Sequence, residues 1–106
     1  MRTYDSVELS WNWFDEENRL HRIGGPAIEY DEGGGEYRVR GKLHRLDGPA
    51  IVCGDEDRNL NEWYINGYSV DYQIDLWAKD MNIDLNNLSE EDKILIAVKW
   101  SDYDGY

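Results

Sequence analysis

The chain has 106 residues, enough for one domain and too few for two. Its formal charge of −12, from 23 acidic and 11 basic residues, opposes phosphate backbones and anionic lipid at long range. That argues against direct DNA binding and membrane binding, and favours a basic partner or the imitation of nucleic acid in front of a protein that binds it.

Residues 1–53 carry a net charge of −3 and residues 54–106 one of −9, so the arginines gather in the first half. Five Trp, eight Tyr and one Phe supply the large apolar surfaces of a small core. Cys53 is the only cysteine, so no internal disulfide forms, and a reducing cytoplasm fits. The segment from Met1 to Trp11 lacks the basic-then-apolar pattern of a secretion signal. No apolar run approaches the roughly 18–20 residues that span a bilayer.

In chain order, Val7, Leu9, Trp11 and Trp13 alternate with Glu8, Ser10 and Asn12, which predicts a strand over 7–13. Asp15-Glu16-Glu17-Asn18 is a turn. Ile28 and Tyr30 alternate with Ala27 and Glu29, and Asp31 to Gly35 closes a hairpin whose tip is Gly33-Gly34-Gly35. Tyr37 and Val39 alternate with Arg38 and Arg40, and Arg40-Gly41 turns the chain. Ile51 and Cys53 repeat the pattern of Ile28 and Tyr30, which makes Cys53 a packing residue. Gly54-Asp55 and Asn66-Gly67 are further turns, the latter suited to a two-residue loop with positive φ.

From Asp71 the period lengthens. Ile74, Trp77, Ala78 and Met81 mark one face of a helix with Asp71 as N-cap, an Asp75–Lys79 pair on its surface and Asn82 at its end. Ser89 with Asp92 three residues on is a short capping box. Ile94, Leu95 and Val98 form the apolar stripe of a second helix, although Ile94 to Val98 also reads as a buried strand. Residues 101–106 read as a loose acidic tail. The domain plan is a β-hairpin region over 1–70, a helical cap over 71–100 packed on it, and the tail.

The strongest feature is repetition. Leu20-His21-Arg22-Ile23-Gly24-Gly25-Pro26-Ala27-Ile28 recurs 23 residues later as Leu43-His44-Arg45-Leu46-Asp47-Gly48-Pro49-Ala50-Ile51, with seven of nine positions identical. The segment before it recurs too: Glu36-Tyr37-Arg38-Val39-Arg40-Gly41 matches Glu62-Trp63-Tyr64-Ile65-Asn66-Gly67. There Ser69-Val70-Asp71 replaces Leu-His-Arg, as in a terminal repeat that caps a stack. Gly25-Pro26-Ala27 and Gly48-Pro49-Ala50 read as structural corners that launch the next strand: proline cannot donate to a ladder, glycine takes a backbone shape other residues resist, and alanine leaves room for a ring.

These motifs resemble the His-Arg-x-x-Gly-Pro-Ala repeats of bacteriophage and large-virus proteins, which are distantly similar to MORN-like β-hairpin repeats. The resemblance covers residues 11–70. The stretch from Trp63-Tyr64-Ile65-Asn66-Gly67 through Leu88-Ser89-Glu90-Glu91-Asp92-Lys93 resembles the end of phage members. True MORN repeats carry Tyr-x-Gly-x-Trp, which this chain lacks, so phospholipid binding is not implied. What the resemblance implies is an α+β fold (an antiparallel sheet of tandem MORN-like hairpins followed by a helical segment), a viral origin and a role in the cytoplasm of an infected bacterium.

His21, Arg22, His44 and Arg45 are the leading ligand candidates, because guanidinium forks grip carboxylate or phosphate and imidazole adds a donor. In the competing reading both pairs bond turn carbonyls and neighbouring carboxylates. Tyr64, adjacent to Trp63 and so on the opposite strand face, is a candidate partner anchor. Asp55-Glu56-Asp57 and Glu90, Glu91 and Asp92 are candidate acidic contacts. Zinc-ligand spacing, a phosphate loop and a marked acid–base pair are all lacking, so no cofactor, metal or catalytic residue is expected. The sequence favours a non-enzymatic phage protein that inhibits a host protein, in one version a defence protein, by direct binding. The alternatives are a sponge that holds an anionic nucleotide messenger through the His-Arg pairs, and a structural or assembly module that adds a strand edge to another chain. Oligomeric state is not legible.

Overall fold

A computed structural model describes residues 1–54 and 61–105. It is an α+β chain of antiparallel hairpins and two helices. The strands are β1 (Arg2–Asp5), β2 (Ser10–Trp13), β3 (Ile28–Tyr30), β4 (Gly35–Glu36), β5 (Arg38–Val39), β6 (Lys42–Leu43), β7 (Ile51–Val52), β8 (Tyr64–Ile65) and β9 (Tyr68–Ser69). The helices are α1 (Asp71–Asp80) and α2 (Glu90–Trp100). β1, β2, β3, β4 and β7 form one antiparallel sheet in that order, and Glu62 extends it by a bridge to Ile51. The pairs β5–β6 and β8–β9 are separate two-stranded hairpins. Among the described residues no helix is long and apolar enough to cross a membrane.

The strand expected over 7–13 is a turn followed by a strand. Asp5 Oδ1 accepts the Val7 and Glu8 N–H groups at 2.9 and 3.1 Å. This side-chain-to-backbone competition bends the chain where the alternating pattern alone would extend it. Val7 is left 88% exposed and Leu9 takes φ +55°. Ser10, polar in the pattern, is the buried residue that opens β2. β1, which carries no alternation signal, pairs along its whole length with β2.

The two-residue turns form where the sequence places them. Arg40-Gly41 (φ +52° and +83°) joins β5 to β6, and Asn66-Gly67 (φ +54° and +86°) joins β8 to β9. Positive φ at both positions matches the right-handed twist of the flanking strands.

The main core lies between the third hairpin and the helices. Trp63, Ile65, Val70, Ile74, Ile96 and Trp100 are buried together, with Leu46, Trp77, Leu85, Leu88 and Tyr103 against them. Trp100 meets Trp77 and Tyr103 at ring separations of 6.1 and 5.3 Å. The chain after α2 is not loose, because Asn66 Nδ2 donates to the Ser101 and Tyr103 carbonyls at 3.1 and 2.9 Å.

Both helices form where their signals suggest, with three corrections. Ser89 and Asp92 complete a reciprocal capping box. Asp75 and Lys79 pair at 3.0 Å, and Asn82, at φ +58°, follows the last turn of α1. Asp71, however, is not the N-cap. Val70 holds that place, and Asp71 is the first helical residue. The stripe of Ile94, Leu95 and Val98 does not face the core either; Ile96 and Trp100 do. Met81, expected on the buried face of α1, is 46% exposed.

Asp71 has a different task. In the first two units the ring residue's N–H donates to an alanine carbonyl of the next corner: Trp13 to Ala27 at 2.8 Å and Tyr37 to Ala50 at 2.7 Å. The third ring residue, Trp63, donates instead to Asp71 Oδ1 at 2.7 Å. A carboxylate thus ends the row where the chain turns into a helix. Asp71→Ala should cost about 1–3 kcal/mol, the penalty for a buried donor left unmet. Asp71→Asn, which keeps a carbonyl acceptor, should cost less, and urea unfolding of the two variants checks the order.

Candidate functional site

The two nine-residue motifs occupy matching surroundings. His21 N–H donates to Trp13 O at 2.9 Å, and His44 N–H to Tyr37 O at 3.0 Å. Arg22 N–H donates to Arg38 O and Arg45 N–H to Tyr64 O, both at 3.1 Å. Each motif is thereby stitched to the hairpin that follows it, one unit along.

The histidines serve the turns. His21 Nδ1 accepts the Arg40 N–H, and His44 Nδ1 the Asn66 N–H, each at 2.9 Å. A ring nitrogen that accepts carries no proton, so each neutral imidazole holds its hydrogen at Nε2. Burial holds His44 below the ordinary histidine range. The unfolded chain therefore protonates at His44 before the folded chain does. This contribution to stability is fully present above the unfolded value, about 6.5, and is lost as pH falls through that value toward the lower folded one. Urea midpoints should drop on acidification from about pH 8 to about pH 5. His44→Gln, which keeps an acceptor and removes the titration, should flatten that part of the slope.

The arginines form a second repeated device. The Arg22 guanidinium lies 3.9 Å over the Trp13 ring, and that of Arg45 3.9 Å over the Tyr37 ring. Their Nη1 groups donate to the carbonyls of Pro26 and Pro49 at 3.2 and 3.1 Å. Arg45 Nε also meets Asp47 at 2.9 Å, and Arg22 meets Glu29 at 3.5 Å. The opposite face of each guanidinium rests on the glycine of the corner. A Cβ on Gly25 would sit 2.8 Å from Arg22 Cζ, and one on Gly48 2.6 Å from Arg45 Cζ. Neither glycine has a positive φ, so room for the arginine, rather than an unusual backbone shape, is what requires glycine. Ala27 and Ala50 are fully buried behind them. The motif is a ring–guanidinium–glycine sandwich locked to a proline carbonyl.

The other candidates disperse. Tyr64 is half-buried, and among the described residues the exposed rings are Tyr4, Tyr68 and Tyr72. Asp55, Glu56 and Asp57 lie outside the described residues. The half-buried carboxylate of Asp92 is committed to the Ser89 N–H at 3.0 Å. Glu90 and Glu91 are exposed at the start of α2, Glu90 with a 3.2 Å contact to Lys93. Cys53 is half-buried, and its N–H donates to Asn61 Oδ1 at 2.8 Å. No three metal-ligand side chains converge among the described residues.

Two surfaces stand out that the sequence motifs do not mark. Ile94, Leu95 and Val98 are 63%, 41% and 78% exposed, an apolar strip on α2 beside Glu91. The signal was present as an apolar stripe, but a stripe does not say which side of a helix meets the core. The second is a groove of about 630 Å³ lined by Arg19, His21, Arg40, Lys42, His44 and Asn66, at the hairpin turns. No protein-family model, curated protein or solved structure matches the chain.

Proposed function

We propose that the chain is a non-enzymatic binding protein that inhibits a basic protein by direct contact through the exposed face of α2. The repeat resemblance supplies the setting: a phage-encoded protein in the cytoplasm of a host bacterium, its hairpins a MORN-like stack, its target a host protein with a nucleic-acid-binding surface, a defence protein among the candidates. The observation that carries the reading is the exposure of Ile94, Leu95 and Val98 next to Glu90 and Glu91. A surface helix ordinarily turns such residues inward. Outward aliphatics bordered by carboxylates have the make-up of an interface, an apolar centre with a charged rim. The complementary surface is a basic groove with an apolar floor, and the net charge of −12 speeds encounter with it.

The nucleotide-sponge alternative through Arg22 and Arg45 draws less support, because both guanidiniums are already stacked and hydrogen-bonded to the fold.

The test is capture from host lysate on immobilised protein, followed by affinity measurement with the purified partner. Ile94→Ser with Val98→Ser, and separately Glu90→Lys with Glu91→Lys, should each weaken binding about 30-fold or more while leaving the urea midpoint unchanged. Binding of a basic partner that ignores both pairs of changes contradicts the proposal. So does a homo-oligomer in light scattering with no heterologous partner, which is the outcome a strand-edge assembly module would give.

A further inference from the structure

The groove at the hairpin turns has a composition that the rest of this acidic chain does not prepare for. Six of its lining residues are Arg19, His21, Arg40, Lys42, His44 and Asn66; Ile23 and Val39 complete it, and no carboxylate lines it. Arg19 is occupied by Asp15 and Glu17, each at 2.9 Å. Arg40 and Lys42 make no side-chain ion pair or hydrogen bond among the described residues.

The imidazoles add direction. Their Nδ1 atoms are held by the Arg40 and Asn66 N–H groups, so both rings are fixed with Nε2–H as donor. Neither Nε2–H meets a partner among the described residues. The two imidazoles line the same groove as Arg40 and Lys42, two cations without a side-chain partner among the described residues.

Arg40 carries a further mark. It sits at φ +52°, a left-handed position that penalises a side chain with a Cβ. The third hairpin fills the same place with Asn66, a residue that tolerates it. A strained arginine whose guanidinium meets no hydrogen-bond or ion-pair partner among the described residues is the kind of local inconsistency that accompanies function.

We propose that this groove binds a small anion with two adjoining phosphoryl groups, the class of inorganic pyrophosphate and nucleoside diphosphates. Arg40 and Lys42 neutralise the phosphoryl oxygens. The Nε2–H groups of His21 and His44 donate to them, and Ile23 with Val39 offers an apolar wall to a base. At physiological salt the remaining acidic surface is screened beyond about 8 Å, so the local cations decide the affinity. No residue of the groove belongs to α2, so this site stands or falls separately from the partner surface.

The experiment is calorimetric titration of the full chain with pyrophosphate, ADP and adenosine. Histidine side-chain signals are followed by NMR in parallel. One-to-one binding of pyrophosphate or ADP below about 1 mM, with shifts at both Nε2 sites and none for adenosine, is expected. Arg40→Asn with Lys42→Gln should weaken it at least about tenfold without lowering the urea midpoint, since asparagine suits the left-handed turn. Lys99→Gln, which removes a cation outside the groove, should leave binding unchanged. Tighter ADP than pyrophosphate assigns the base to the Ile23–Val39 wall, and equal affinity assigns the site to the phosphoryl groups alone. The proposal is overturned by no saturation below about 10 mM, by equal affinity in the double variant, or by a single-stranded oligonucleotide that outcompetes ADP.

Discussion

Ile96→Ala should destabilise the fold by about 2–5 kcal/mol, whereas Ile94→Ala, two residues earlier, should change stability by less than about 0.5 kcal/mol. Ile96 is fully buried among Trp63, Ile65, Val70, Ile74 and Trp100, and truncation there leaves a cavity that the surrounding rings cannot close. Ile94 is 63% exposed, so its methyl groups are already largely in water. Val98→Ala, at 78% exposure, should behave like Ile94→Ala. Urea unfolding of the three variants checks the contrast. A large loss at Ile94 or Val98 would mean that α2 is rotated, and the proposed partner surface would vanish with that rotation.

Gly48→Ala should destabilise the protein by about 1–2 kcal/mol, and the same change should become neutral or stabilising once Arg45 is alanine. The first value is the loss of a guanidinium–ring contact together with strain on its hydrogen bond to Pro49. In the intact protein the new methyl collides with Arg45 Cζ and forces the guanidinium out of the gap between Tyr37 and the glycine. Without that side chain there is space, and Gly48 lacks a positive φ, so alanine gains about 0.4–1 kcal/mol by restricting the unfolded chain. Arg45→Ala alone should cost about 2–3 kcal/mol, since it removes the stack and leaves the Pro49 carbonyl without its donor. A double-mutant cycle measures the coupling directly. Gly25 and Arg22 should show the same sign change, with the Trp13 ring in place of Tyr37. Additive effects at both pairs would mean that the glycines serve the backbone and not the arginines.

Much of the architecture was legible because it rests on short-range chemistry. Asn66-Gly67 specifies a tight turn by its tolerance of positive φ, Gly41 marks the other at Arg40-Gly41, and Ser89 with Asp92 specifies a helix start by reciprocal hydrogen bonds. The repetition of Leu-His-Arg and Gly-Pro-Ala implied equivalent places, and the matching bonds of His21 with His44 and of Arg22 with Arg45 show them. What escaped the sequence depends on competition or on long-range packing. The alternation over 7–13 gave no weight to the Asp5 side chain, which captures two N–H groups and breaks the strand. The stripe of Ile94, Leu95 and Val98 is more apolar than the buried face of the same helix, so hydrophobicity pointed the wrong way. Arg40 reads in the sequence as a turn residue and Lys42 carries no signal, and only the closing of two hairpins places them on one groove with both histidines. The role of Asp71 was hidden because helix capping and the capping of a repeat row use the same residue type.

The His-Arg motifs are built into the fold: each imidazole accepts a turn N–H from the next hairpin through Nδ1, and each guanidinium lies between a ring and a glycine. The tautomers of His21 and His44, read by long-range nitrogen–proton NMR at about pH 8, where imidazoles are neutral, test it most directly. Both rings in the Nε2–H form, with Nδ1 shifted as a hydrogen-bond acceptor, is the result this arrangement predicts. A protonated Nδ1 at either ring, or fast averaging between tautomers at one of them, would contradict it.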